Sequence, residues 1–144
     1  MAATLISGPA GAGKSQLARD MVIGAGVATA LIDFQAIHAA LTGVERDPAT
    51  GRYPNGSRVL DLLPLTEFIR QAAIRAARER DVPMVVTNSD GDRGRRDQLL
   101  GLMGASAVER VIDPGRGVVE ARLSIEGVLT DECGQAIDRW YKRL

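Results

Sequence analysis

The chain has 144 residues, 45% of them hydrophobic and 25% charged, with 18 Lys+Arg set against 18 Asp+Glu. This is the composition of one globular domain and excludes global disorder. Zero net charge excludes nucleic-acid binding by bulk charge, and no apolar run reaches the ~18 residues of a membrane-spanning helix.

The first residues, MAATLISG, carry no basic stretch ahead of their apolar ones, so no secretory signal is expected. Thr4 to Ser7 form a short apolar run ending at Gly8 and predict a buried strand. Leu17, Ala18, Met21 and Val22 then follow helical spacing from Lys14, and Gly24 and Gly26 end that helix. Val27 to Ile32 predict a second strand, ending at Asp33. Phe34, Ile37 and Leu41 predict a short helix that stops at Gly43.

Residues 43 to 58 are rich in Gly, Pro, Asn and Asp and read as a long loop. Within it, Tyr53 either stacks on a base or packs locally. The strongest helical pattern runs from Leu65 to Arg80, with Leu65, Phe68, Ile69, Ala72, Ala73 and Ala76 on one face and Arg70, Arg75, Arg78 and Glu79 elsewhere. Asp81 and Pro83 close it. His38, alone on its helix, is expected to be structural. Met84 to Val86 predict a third strand, Asn88 to Gly94 a polar turn, and Leu99, Leu100 and Met103 a helix. Val108 to Ile112, less apolar because of Glu109 and Arg110, predict a fourth strand at an edge. Pro114 and Gly115 make a turn into a helix bearing Val118, Val119, Arg122 and Leu123. Thr130 or Asp131 is expected to cap a last helix through Ala136, Ile137, Trp140 and Tyr141. Cys133 is the single cysteine, so no internal disulfide forms, which fits a reducing cytoplasm, and no partner stands at zinc spacing. Strands alternating with helices predict an α/β fold: one domain over residues 1–144, in three α/β/α layers, around a short, mainly parallel sheet of about four strands.

Residues Gly8, Pro9, Ala10, Gly11, Ala12, Gly13, Lys14 and Ser15 spell GPAGAGKS, the full G-x-x-x-x-G-K-S pattern, placed after a strand and at a helix start. Glycines let the backbone wrap a phosphate with its N–H groups inward, and the helix N-terminus, through Gln16, adds partial positive charge. Lys14 is expected to reach the β- and γ-phosphates and Ser15 to hold Mg²⁺ through its hydroxyl. Of the 18 basic residues only Lys14 and Lys142 are lysine. GC-rich codon usage accounts for that skew, yet lysine is kept at position 14. No N-K-x-D string is present to read guanine, so the expected nucleotide is ATP.

Asp33 ends the second strand, and in such a sheet the strand ends converge on one edge. It is a candidate general base for an acceptor hydroxyl, or a cap for the next helix. Arg93, Arg95 and Arg96 form a basic cluster that either clamps phosphate or is a solvated helix start. Arg75, Arg78 and Arg80 read as a solvated face.

With GPAGAGKS, TALIDFQAIHAAL, MVVTNSDGDRGRR and VIDPGRGVVEARL in place, the chain resembles the small P-loop kinases, and especially the kinase domain of bacteriophage-type polynucleotide kinases. That resemblance implies a catalytic base at Asp33, a string with paired arginines at Thr87, Asn88, Arg95 and Arg96, and a lid arginine at Arg122 that reaches the phosphates. It implies a hydroxyl acceptor such as a nucleotide or nucleic-acid end for the MgATP expected from the loop; no membrane partner and a cytoplasmic location are expected from the composition, and a viral or prophage source is expected as an impression alone. Two departures stand out. The family's Mg²⁺-holding acid at the third strand's end is replaced by Val86 or Thr87, with Asp90 and Asp92 beyond it. The lid is short, since Leu123, Ser124 and Ile125 follow Arg122. Arg122 is thus either a phosphate-contacting residue or a surface arginine pairing with Glu120 or Glu126. The function is then ATP-dependent phosphoryl transfer or, alternatively, non-catalytic nucleotide binding in an assembly or regulatory role.

Overall fold

A computed structural model describes residues 2–9, 12–44, 59–89, 91–125, 137–138 and 140–141, with backbone alone over 122–125. Strand β1 (Ala3–Ser7) leads into helix α1 (Lys14–Gly24), followed by β2 (Ala30–Ile32) and α2 (Phe34–Thr42). A 3-10 turn (Val59–Leu62) opens α3 (Leu63–Glu79), and then come β3 (Met84–Asn88), α4 (Arg93–Met103), β4 (Val108–Val111) and α5 (Arg116–Ile125). The four strands form one sheet in the order β2-β3-β1-β4, with every pair parallel. β1 is central, and its residues Ala3 to Ser7 pair in register with Met84 to Asn88. β4 lies at an edge, as its charged residues predict.

Alternation along β1 builds two cores. Ala3 and Leu5 face Ile32, Met84, Val86, Ile74 of α3, and Leu99 and Met103 of α4. Ile6 faces the other way, onto Val85 and Ala18 of α1, with Leu17, Met21 and Val22 around it. Leu5 and Ile6 are both fully buried, and each such side chain contributes about 1.5–3 kcal/mol. Helices therefore cover both faces, giving the three-layer α/β/α arrangement of a parallel sheet.

Local signals set the element ends. Asp33 caps α2 by accepting from the Ala36 N–H at 3.0 Å, and Gly43 ends it in the left-handed region at φ 67°. Pro64 lies in the first turn of α3, where a missing N–H costs nothing. Asp92 caps α4 through the Gly94 N–H at 3.1 Å.

Three expectations change. The second strand shrinks to Ala30–Ile32, because the chain leaves α1 through Gly26 at φ 71°. The Thr29 hydroxyl then bonds the carbonyl of exposed Val27. The third strand is longer than expected: Thr87 and Asn88 pair with Ile6 and Ser7, and both side chains are buried. The third change concerns α3. Its buried positions include Thr66, Arg70, Ile74 and Ala77, while Leu65, Phe68 and Ile69 stay exposed, Phe68 at 66%. Thr66 is accommodated because its hydroxyl bonds the Leu62 carbonyl at 2.9 Å. Arg70 is accommodated by a carboxylate, a carbonyl and an aromatic ring, described below. Of the predicted face, Ala73 does pack against the core.

The cap at Thr130 or Asp131, Cys133, Tyr53, Asp90 and Lys142 lie outside the described residues, as does nearly all of the 43–58 loop. Ile137, Asp138, Trp140 and Tyr141 are helical. Among the described residues no helix is long and apolar enough to cross a membrane.

Gly8 is fixed by close approach. A Cβ there would overlap the carbonyl oxygen of Ile112, which is backbone and cannot swing away. Gly24, by contrast, has open space around it and no positive φ. Gly8→Ala should lower stability by about 1–3 kcal/mol through overpacking. Gly24→Ala should leave stability unchanged or raise it by about 0.4–1 kcal/mol. Urea unfolding of the two variants checks both signs.

Candidate functional site

β1 delivers the chain to the loop, and the Gly8 N–H bonds the Asn88 carbonyl at 3.1 Å, so the loop starts from the sheet's centre. The Ala12 N–H donates to the Pro9 carbonyl at 3.1 Å, closing a turn. Gly13 caps α1 in the left-handed conformation at φ 93°, which only glycine adopts readily. Ala10 and Gly11 lie outside the described residues. The side chain of Gln16 runs along α1 to Asp20 at 2.9 Å, leaving its backbone N–H as its contribution at the helix start.

Lys14 is the first residue of α1 and is 8% exposed. Its Nζ donates to the Pro9 carbonyl at 2.8 Å. Burial pushes its pKa down to about 8, against the pull of the nearby Asp33 charge. The helix N-terminus adds a further unfavourable term, because its partial positive charge repels a cation. A buried cation at that end is what a bound phosphate would stabilise.

Asp33 reaches the loop, as convergence of the strand ends predicts. Its Oδ1 accepts from Ser15 Oγ at 3.3 Å and from Thr87 Oγ1 at 2.6 Å, and its Oδ2 accepts the cap from Ala36. One oxygen thus starts the helix as its cap, and the other joins α1 to β3.

Beside it lies a buried arginine that hydrophobic patterning places off the core. Arg70 is 5% exposed, donates to the Thr87 carbonyl at 3.2 Å, pairs with Glu67, and stacks 5.0 Å over the Phe34 ring. Arg95 of α4 pairs with the same Glu67 at 3.1 Å. His38 is structural, as expected, with Nε2 against the Val59 carbonyl at 2.8 Å.

On the α4 side of the sheet a second polar network ties the strand ends. Arg96 grips both oxygens of Glu109, and Ser7 Oγ donates to the same carboxylate at 3.3 Å. Asn88 in turn donates to Ser7 Oγ at 3.4 Å. The Arg96 hydrogen bonds hold the Glu109 carboxyl below the usual carboxylate range. Two arginines of the predicted basic cluster, Arg95 and Arg96, are therefore engaged with carboxylates of this chain, while Arg93 is exposed. Arg78, placed on a solvated face by its spacing, donates to the Gly101 and Leu102 carbonyls at the end of α4. Arg122 lies in α5, with its side chain outside the described residues. Glu120, one of its candidate partners, pairs with Arg116 at 2.9 Å. Sequence reasoning missed Ser7, Glu67, Arg70 and Glu109 as members of these networks. For Ser7 the signal available was a polar residue ending an otherwise apolar strand; Glu67 and Arg70 lie in α3 and Glu109 inside β4, where no local pattern marks them.

The Lys14 chemistry sets a pH dependence. Its pKa is 10.5 unfolded and about 8 folded, so between these values the unfolded chain binds more protons and stability rises with pH. The cost of the buried ammonium, at most roughly 3 kcal/mol, is fully present below about pH 8. Unfolding measured from pH 7 to 10.5 should show this rise in wild type and not in Lys14→Met. If a nucleotide phosphate pairs with this ammonium, as the loop motif leads one to expect, nucleotide affinity should fall above about pH 8, by up to about tenfold per pH unit. Titration calorimetry across that range reads this directly.

No family model and no curated protein matches the sequence. Among solved structures, a gluconokinase from Sinorhizobium meliloti 1021 is similar over 99% of this chain and 74% of its own, with a TM-score of 0.62 and 16% identity. At that identity the likeness establishes the fold and does not single out the polynucleotide kinases. The chain has the α/β fold of the small P-loop kinases.

Proposed function

We propose that this protein binds MgATP on the Gly8–Ser15 loop and transfers the γ-phosphate to a hydroxyl acceptor at the ends of β2 and β3. The observation that carries this reading is Lys14: a cation buried at a helix N-terminus, under a loop whose glycines allow close backbone approach. The donor set suits Mg²⁺, a hard cation that takes one or two protein oxygens beside nucleotide phosphates. Ser15 Oγ is the protein hydroxyl in position, and Mg²⁺ would neutralise charge on the β- and γ-phosphates. In the reaction, the acceptor oxygen forms a bond to the γ-phosphorus. The bond from that phosphorus to the β,γ-bridging oxygen breaks, ADP leaves, and the acceptor's proton passes to a carboxylate or to water. Lys14 would hold the phosphates in line, and Arg122 would meet them from α5.

The acceptor would sit at the ends of β2 and β3, near Phe34, Arg70 and Thr87. Nucleosides, nucleotides and nucleic-acid 5′-hydroxyls are the candidates from the sequence resemblance. The gluconokinase adds gluconate. A second reading, nucleotide binding without transfer, is favoured by one observation: Thr87 and Asn88, not an acid, occupy the end of β3.

Incubation with γ-labelled ATP, Mg²⁺ and a panel of 5′-hydroxyl oligonucleotides, nucleosides, nucleoside monophosphates, gluconate and small alcohols separates the two. The kinase reading expects label on one acceptor class. It expects Lys14→Ala to weaken ATP binding about 10- to 100-fold, as loss of a charged hydrogen bond does. Arg122→Ala should slow transfer about 10³- to 10⁵-fold with an unchanged melting temperature. ATP binding with no label on any acceptor would leave the non-catalytic reading.

A further inference from the structure

We infer that Asp33 supplies the metal-side carboxylate that the end of β3 lacks, rather than the base that deprotonates the acceptor; the inference rests on the MgATP reading above. The argument starts from which atoms face each other. Ser15 Oγ, the hydroxyl placed for Mg²⁺, lies 3.3 Å from Asp33 Oδ1. Thr87 Oγ1 lies 2.6 Å from that same oxygen. Oδ1 is thus turned toward the loop by hydroxyls from two other elements, and the second oxygen is fixed by the Ala36 N–H at 3.0 Å. A base must instead present a lone pair to an acceptor outside the loop.

Three of the other described acids are engaged elsewhere. Asp92 is exposed and caps α4. Glu67 is bound by Arg70 and Arg95, and Glu109 by Arg96 and Ser7. Among the described residues no group of three or more His, Cys, Asp or Glu side chains forms a metal cage. A metal carried by nucleotide phosphates needs no such cage, since one carboxylate and one hydroxyl suffice beside the phosphates and water. Thr87 occupies the end of the strand where the acid is missing and hands a hydrogen bond to the neighbouring strand's carboxylate. It is a positioning residue in this scheme, orienting Asp33 as a second partner orients a metal ligand.

The test measures ATP affinity by calorimetry in excess EDTA and in saturating Mg²⁺, and Mn²⁺ affinity of the ATP complex by electron paramagnetic resonance. Asp33→Asn keeps the α2 cap, because asparagine also accepts from the Ala36 N–H. It should leave metal-free ATP affinity unchanged or tighter and weaken Mn²⁺ binding to the complex about 10- to 100-fold. Thr87→Val, which removes only the orienting hydroxyl, should weaken Mn²⁺ binding in the same direction by less. Its melting temperature and metal-free ATP affinity show that the fold survives. Mn²⁺ affinity equal to wild type in both variants would overturn the inference and return Asp33 to the base role. Failure of wild type to bind ATP in either condition would overturn the MgATP reading and this inference with it.

Discussion

Burying the Lys14 ammonium costs several kcal/mol unless neighbouring groups offset it. The structure around it is arranged by that cost. The Pro9 carbonyl accepts from Nζ at 2.8 Å, and the Asp33 carboxylate adds a favourable charge. Neither restores the ordinary lysine pKa, and the start of α1 opposes the charge further. Gly8 and Gly13 follow from the same constraint. The first lets the loop leave β1 against the Ile112 carbonyl, and the second turns the chain into α1. On the proposed reading, a negative ligand at the loop would offset the rest of that cost.

The sheet makes this placement rigid. Parallel strands end together, so β1, β2 and β3 bring Ser7, Asp33 and Thr87–Asn88 to one edge. The two sides of that edge are tied differently. Toward α1, hydroxyls of Ser15 and Thr87 converge on Asp33. Toward α4, Arg96, Glu109, Ser7 and Asn88 form a chain from the edge strand to the centre. The second network holds the end of β1 where the loop begins, and the Asn88 carbonyl accepts from the Gly8 N–H there. Charged hydrogen bonds of this kind, partly shielded from water, contribute about 1.5–3 kcal/mol each.

Much of this was legible in the residues. GPAGAGKS announced the loop because its spacing is set by backbone geometry, which is local. The alternation of strands and helices gave the layer architecture, and the convergence of parallel strand ends brought Asp33 to the loop. The misreadings share a cause. Leu65, Phe68 and Ile69 outweigh Thr66, Arg70 and Ile74 in hydrophobicity, so pattern alone turned α3 the wrong way. Burial of Arg70 depends on Glu67, the Thr87 carbonyl and Phe34, and two of those three come from distant elements. Val27 looked like strand because valine favours strands, but a left-handed Gly26 bends the chain away before pairing starts. Asn88 looked like a turn residue because its type favours turns. It remains in the strand, paired with Ser7 of β1, whose hydroxyl accepts from its side chain. The outcomes at Arg70 and Asn88 depend on partners far along the chain, which a local window does not contain, whereas that at Val27 turns on the backbone conformation of its neighbour.

The central claim is that Lys14 is held in reserve for a phosphate on this loop. A crystal structure with Mg²⁺ and a non-hydrolysable ATP analogue tests it most directly. The account predicts that Nζ leaves the Pro9 carbonyl for the β- and γ-phosphates, with the triphosphate wrapped by the Gly8–Ser15 backbone. A nucleotide bound elsewhere, or on the loop with Lys14 still donating to Pro9, would contradict it.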